Sequence, residues 1–343
     1  MKPQYLLFMI ITSCILFTAC RHKDLCYNHP HDASVRIDTD WSNFTEEEPT
    51  GMTVMVYSQD GDQTLVATQH TNTTTHATFA LPEGYYSAIV YNQSHTEFGS
   101  LLFRGTNKFT THEVYARPTT TRWYTRGDKT HVVTEPEWLG TDEAENLHVT
   151  AEMARKTTHE LMSKDSRNVA NNAFLIGTLH PDNIIYTLHV KVHVKGIYNL
   201  RSARASLDGL AEGYFMGLAR PSAQTVAQLL EEWTIVQNPS DPTQGYIETS
   251  ITCFGLPYGH MGHAEENIFE LQTLLVDNKT ILKYPFHVGD VIERKPEDTN
   301  LSLYLELKID DPLPDVEPAD TSDGGFSAVV DDWGPEENVN VNM

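Results

Sequence analysis

"YTLHVKVHVK", Tyr186 to Lys195, decides the fold class. Tyr186, Leu188, Val190, Val192 and Val194 take every second position, and Thr187, His189, Lys191, His193 and Lys195 fill the places between. Successive side chains of an extended chain point to opposite faces, so this segment predicts a strand with one dry and one wet face. The pattern returns over Leu301 to Asp310, where Leu301, Leu303, Leu305, Leu307 and Ile309 turn inward and Ser302, Tyr304, Glu306, Lys308 and Asp310 outward. Two sheets facing each other bury such stripes, so the expected architecture is a β-sandwich.

Shorter β-rich runs lie upstream, at Val35 to Asp40, Met52 to Tyr57, Ala77 to Leu81, Tyr85 to Tyr91, Ser100 to Phe103 and Glu113 to Ala116. Turn signals such as Ser58-Gln59-Asp60-Gly61 and Pro82-Glu83-Gly84 separate them, which predicts a compact all-β domain. A second series follows from about Asn146, adding Ala205 to Leu207, Tyr246 to Phe254, Ile268 to Val276 and Ile281 to Phe286 to the two alternating strands. Between Pro221-Ser222 and Asn238-Pro239, the spacing of Val226, Leu229, Leu230 and Trp233 predicts one short helix packed on the second core. Glu145 to Leu161 fits either a helix or a strand. The expected organisation is two tandem sandwiches, 33–138 and 139–335, with the change near Pro136 to Asp142 after the polar stretch Arg117 to Lys129. An acidic, proline-bearing segment at 311–325 is expected to be a disordered excursion, and 336–343 a tail.

The first residues address a compartment. Tyr5 to Ala19 is an apolar run of fifteen residues behind Lys2. That suits a signal-peptide core at 1–19 and is short of the roughly 20 residues a membrane-spanning helix needs. It ends in Phe17-Thr18-Ala19-Cys20, small residues before a cysteine, so Cys20 is the expected lipidation site and 20–32 a lipid-anchored linker. The rival Ile11-Thr12-Ser13-Cys14 leaves an unusually short core. Cys26 and Cys253 then remain, and pairing or burial as free thiols are both open. Cys26, His29, His31 and Asp32 are ligand-type residues with no second cluster to complete a zinc site.

Composition narrows the function classes. The net charge is −23, from 47 acidic and 24 basic residues. That argues against nucleic acid as a partner, where a basic footprint is expected, and suits a self-repelling surface outside the cell. No Gly-x-Ser-x-Gly elbow and no phosphate loop occurs. His159-Glu160-Leu161-Met162-Ser163 begins like a zinc-protease helix, but its fifth position is serine. His260 and His263, beside Glu265 and Glu266, are the best-placed metal candidates, in a glycine-rich loop where nothing fixes them. The expectation is a non-enzymatic protein with no metal and no cofactor. Arg126-Gly127-Asp128 spells a cell-binding tripeptide, a match that arises readily by chance.

Several stretches carry a family resemblance. "CRHKDLCYNHPHDASVRIDTDW" from Cys20, "LPEGYYSAIVYN" from Leu81 followed by "LLFRGTNKF", "IIYTLHVKVHVKGIYNL" with "ARASLDGLAEG", and the terminal "FSAVVDDWGPEENVNV" occur in this order. Together they resemble the fimbrillin-like surface lipoproteins of Bacteroides-type bacteria, in a subfamily catalogued as a domain of unknown function. The resemblance implies two transthyretin-like sandwiches, a lipid anchor in the outer membrane at the cell surface, and a role in fimbriae or adhesion. In stalk members a protease cuts after an arginine, and a strand from the next subunit fills the vacated groove by β-strand addition. Here only Arg21 and Arg36 precede Arg104, and Arg36 sits between Val35 and Ile37 inside an expected strand. The expected role is therefore an anchor or accessory subunit, with Phe326, Val329, Val330 and Trp333 as candidate donor or closing strand. Expected partners are other fimbrial subunits or host or bacterial surface ligands. The alternative is a non-polymerising surface lipoprotein that binds glycan, for which Tyr85, Tyr86, Tyr91, Trp123 and Tyr124 are candidates. Strand alternation sets Tyr85 and Tyr91 on one face and Tyr86 on the other, so they make no single platform.

Overall fold

A computed structural model describes residues 32–121, 123–124, 131–162, 173–257, 266–294 and 301–319. Its first strands are β1 (Ala33–Thr39), β2 (Met52–Ser58), β3 (Leu65–Thr71), β4 (His76–Leu81), β5 (Gly84–Asn92), β6 (Leu101–Arg104) and β7 (Glu113–Ala116). Short pieces β8 (Pro118–Thr119) and β9 (Val132–Val133) lead to β10 (Gly140–Val149). Helix α1 (Ala151–Met162) comes next, the one α-helix among the described residues. After it come β11 (Phe174–Leu179), β12 (Asp182–Asn183), β13 (Tyr186–Lys195), β14 (Leu200–Ala211), β15 (Gly213–Phe215) and β16 (Arg220–Pro221). The chain continues with β17 (Thr225–Leu230), β18 (Thr234–Asn238), β19 (Asp241–Cys253), β20 (Ile268–Leu275), β21 (Ile281–His287) and β22 (Ser302–Lys308).

These strands build two sandwiches. In the first, the sheet β11-β1-β4 faces β12-β10-β5-β2-β3. Val35, Ile37, Val54, Phe79, Val90 and Leu147 fill the space between. In the second, β18-β19-β13-β22 faces β21-β20-β14-β17-β9-β8. Leu188, Val190, Val192, Leu303 and Leu305 meet Ala205, Leu207, Phe269 and Leu271 there. The two alternating stripes lie side by side in one sheet. β13 and β22 run parallel, with Leu188 beside Leu303 and Val192 beside Leu307.

A fifth sheet, β16-β15-β7-β6, connects the sandwiches. Met55, Tyr57, Ile89 and Tyr91, on the far side of the first sandwich, join Leu101, Phe109 and Val114 in the same apolar cluster as the whole second core. This explains why β2 and β5 do not alternate in sequence: both of their faces are dry.

Three expectations are corrected. The helix expected between Pro221 and Asn238 is instead strands β17 and β18. Val226 and Leu230 face the sandwich core, while Ala227 and Leu229 pack with Trp123, Tyr124 and Val132 on the other face. A strand buried on both sides puts apolar residues at helical spacings too. The helix lies in the ambiguous segment instead, and it packs Ala154 into the first core.

The boundary at 138/139 cuts through a sheet, because β10 pairs with β5 and β11 pairs with β1. A sequence scan sees order along the chain, whereas these strands return to partners some fifty residues or more upstream. Finally, residues 311–319 of the expected disordered excursion are mostly exposed but follow a defined path, held at Leu313, which is only 3% exposed. Edge strand β3 has no fully buried position, and no apolar stripe announced it.

Candidate functional site

β1 closes the first sandwich and is paired along both edges. Toward β4 it runs antiparallel, Val35 opposite Phe79 and Ile37 opposite Ala77. Toward β11 it runs parallel, Val35 beside Phe174 and Thr39 beside Leu179. Ala33, Val35 and Ile37 have no exposed surface. Arg36 turns outward, its Nε 2.7 Å from Asp38 Oδ1.

Helix α1 completes the pairing where β11 does not reach. The Ser34 N–H donates to Thr157 Oγ1 at 3.0 Å, and Thr157 is buried. Thr150 starts the helix, its Oγ1 accepting from the Met153 N–H at 3.3 Å. If β1 were withdrawn, the groove between β4 and β11 would be apolar and lined by free backbone groups, which is the geometry strand addition requires.

Polar groups lock the junction of the sandwiches. Tyr57 donates its O–H to the Thr106 carbonyl at 3.1 Å and lies 2.8 Å from His112 Nδ1. His112 has no exposed surface, and its Nε2 has no hydrogen-bond partner among the described residues. Burial, and then the nearby His95, push its pKa down to about 4. Burial pushes the Tyr57 phenol well up, with Tyr91 adding to it. Arg104 ties three segments together, with Nε 2.6 Å from Glu113 Oε2 and Nη2 2.6 Å from Glu212 Oε2. Its guanidinium also lies 4.5 Å from the Tyr115 ring centroid. Glu143 is pushed up to about 7 by burial, with Asp142 and Glu145 adding to it.

The wet face of β13 carries a groove of about 1050 Å³ between Glu232–Thr234 and Val291–Glu293. On its floor the His189 ring stacks on Tyr304 with centroids 5.1 Å apart. Lys191 Nζ lies 3.4 Å from Glu248 Oε2 and 4.3 Å from the Tyr246 ring. The row of histidines and lysines was legible in the sequence. Its partners were not, because β19 and β22 supply them from far along the chain.

The sequence-predicted residues fare unevenly. Cys20, Cys26, His29, His31, the tripeptide 126–128, His260, His263, Phe326, Val329, Val330 and Trp333 lie outside the described residues, as do the side chains of His159 and Glu160. Cys253 is a buried free thiol, its pKa pushed up to about 12 by burial. Tyr86, Tyr91 and Tyr124 are core residues. Tyr85 is 51% exposed and stacks flat on His148 at 4.3 Å. Trp123 covers the Arg204 guanidinium at 4.3 Å. Among the described residues no group of three or more His, Cys, Asp or Glu is placed to hold a metal ion, and no helix is long and apolar enough to cross a membrane. His112 and Arg104 were missed, since a lone histidine and a lone arginine carry no spacing signal.

Residues 19–231 match the model of a family described as "Domain of unknown function (DUF5119)". The chain is 22% identical to a Bacteroides ovatus protein named "Putative fimbrium anchoring subunit Fim4B", over 99% of this chain and 98% of that one. The crystal structure of a "putative adhesin" from Bacteroides ovatus superposes with a TM-score of 0.53 at 18% identity, covering 86% of this chain and 98% of that one. The fimbrial anchor protein Mfa2 from Porphyromonas gingivalis gives a TM-score of 0.42 at 13% identity, over 81% of this chain and 90% of that one.

Proposed function

The chain belongs to the DUF5119 family, and from that premise we propose that it is a lipid-anchored, non-enzymatic subunit of surface fimbriae, at the anchoring or accessory position rather than in the stalk. The observation that carries this reading is β1. A stalk subunit has to surrender its closing strand. Here that strand is bonded on both edges, buries Ala33, Val35 and Ile37, and is capped by Thr157. Arg36, the one arginine between Arg21 and Arg104, lies in mid-strand, where a protease needs an extended, unpaired backbone. A subunit that keeps its own strand accepts no donor in that groove, which suits the end of a polymer. The likeness to a relative named as an anchoring subunit, over nearly the full length of both chains, supports the same position.

Attachment to the outer membrane then falls to Cys20. Contact with the neighbouring subunit is by strand addition to an edge. Among the described residues β18 is the outermost strand of its sheet, with Ile235 37% exposed. The test is to delete the gene in a fimbriated host and restore it as parent or Cys20→Ser. The expected result is filaments bound to cells with the parent and shed into the medium with Cys20→Ser. Filaments equally abundant and equally attached in all strains would overturn the reading. A glycan array bound by the purified chain in that case would favour the non-polymerising alternative.

A further inference from the structure

Hydrogen bonds elsewhere in the sheet fix which backbone groups of β18 face its outer edge. The Gly196 N–H donates to the Thr243 carbonyl at 2.6 Å, in the register that pairs β13 with β19. Antiparallel alternation then turns the backbone groups of Gly245, Ile247 and Thr249 toward β13, and those of Tyr246 and Glu248 toward β18. Two bonds on the other side of β13 agree. The Thr187 N–H donates to the Leu301 carbonyl at 2.8 Å and the Ile309 N–H to the His193 carbonyl at 3.0 Å, so the odd-numbered residues of β13 are turned toward β22. Thr234 lies opposite Glu248 and Val236 opposite Tyr246, so Thr234 and Val236 direct their backbone groups at β19. Those of Ile235 and Gln237 point to the edge.

The side chains leave this edge open to a partner. Ile235 stands opposite Ile247, which has no exposed surface, so both point to the core side of the sheet. Ile235 nevertheless stays more than one-third exposed, an apolar position at the rim of the core. Edge strands are ordinarily guarded by a lysine, a proline or an inward-pointing charge. Thr234-Ile235-Val236-Gln237-Asn238 has none of these, and its register shift falls at the far end, between Gln237 and Asn238. The whole run 221–278, which holds both β18 and β19, contains no lysine or arginine.

Charge selects the occupant. Glu231 and Glu232 precede the strand, and Asp241 closes the turn after it. Glu231 accepts from Trp123 Nε1 at 2.9 Å, and Glu232 is exposed. Two copies of β18 paired antiparallel about Val236 would set the Glu232 end of each against the Asp241 turn of the other. That is like charge against like, in molecules that each carry a net −23. A strand with lysine or arginine at its ends meets attraction at the same places.

We propose that the outer edge of β18 takes an extended segment of a different chain, the neighbouring subunit. That segment bonds to the backbone of Ile235 and Gln237, lays an apolar residue over Ile235, and carries lysine or arginine toward Glu232 and Asp241. The proposal rests on the fimbrial reading and adds to it the bonding positions and the partner's chemistry. The test is amide hydrogen exchange on the mature chain, isolated at two concentrations and then within filaments purified from the host. The amides of Ile235 and Gln237 should exchange fast in the isolated chain and at least about tenfold slower in filaments, with Thr234 and Val236 protected in both. Slow exchange at 235 and 237 in the isolated chain would overturn the proposal; if it appears only at the higher concentration, the occupant is a second copy. Fast exchange at both positions within filaments would overturn it and leave the fimbrial reading standing. Filaments that lack the chain would overturn that reading, and this proposal with it. Variants give a second readout. Gln237→Pro removes an outward N–H and no bond to β19, and Ile235→Lys guards the edge. Both should melt with the parent yet be lost from filaments, whereas Val236→Lys, on the outer face, should be retained. Retention of the first two at the parent's level would also overturn the proposal, and the exchange readout on the parent stands even if a variant does not fold.

Discussion

At His112 an imidazole is held without solvent beside Tyr57 and with one nitrogen unpartnered, so its charged form is excluded. The unfolded chain titrates this group at the ordinary value of 6.5 and the folded chain at about 4. Between those values the unfolded state binds a proton that the folded state refuses, so stability falls as pH falls through the window and levels off below it. His112→Phe removes that titration and leaves the Tyr57 hydroxyl its bond to the Thr106 carbonyl. The expected outcome is a loss of about 1 kcal/mol at neutral pH and a melting temperature that declines less between pH 6.5 and 4 than the parent's. Parallel melting curves would refute it. Nothing in "KFTTHEVYA" distinguishes this histidine from the fifteen others of the chain's sixteen, because its burial is imposed by β2 and β5.

At the scale of elements, α1 serves as the missing backbone partner of β1. Thr157→Val keeps the shape and removes the acceptor, leaving the N–H of half-buried Ser34 without it. The expected cost is about 1–3 kcal/mol in denaturant unfolding. Thr158→Val loses only the bond to the Ala154 carbonyl of its own helix and should cost less; equal effects would contradict the capping role. Legibility at this scale follows burial. β13 and β22 were plain in the sequence because one face of each is dry and the other wet. β17 was misread because Trp123 and Tyr124 cover the face that would otherwise have been polar. Arg36 was correctly placed inside a strand. That this strand is central to its sheet appears only in its pairing with β4 and β11.

At the scale of the molecule, one apolar cluster runs from Met55 to Leu313 and includes residues of both sandwiches. Two independent domains would unfold separately, whereas a shared core couples them. Calorimetry of the mature chain should therefore show a single transition whose van't Hoff and calorimetric enthalpies agree; two resolved peaks would contradict the shared core. Sequence alone determined the all-β class and the positions of most strands, since side-chain alternation is a local consequence of an extended backbone beside a dry interior. It also determined the acidic character that makes nucleic acid an unsuitable partner. Only tertiary structure decided which strands share a sheet, that β10 and β11 return to the first sandwich, and that β1 is held on both edges. Strand pairing is satisfied by backbone groups identical in every residue, so the choice of partner leaves little trace in the side chains.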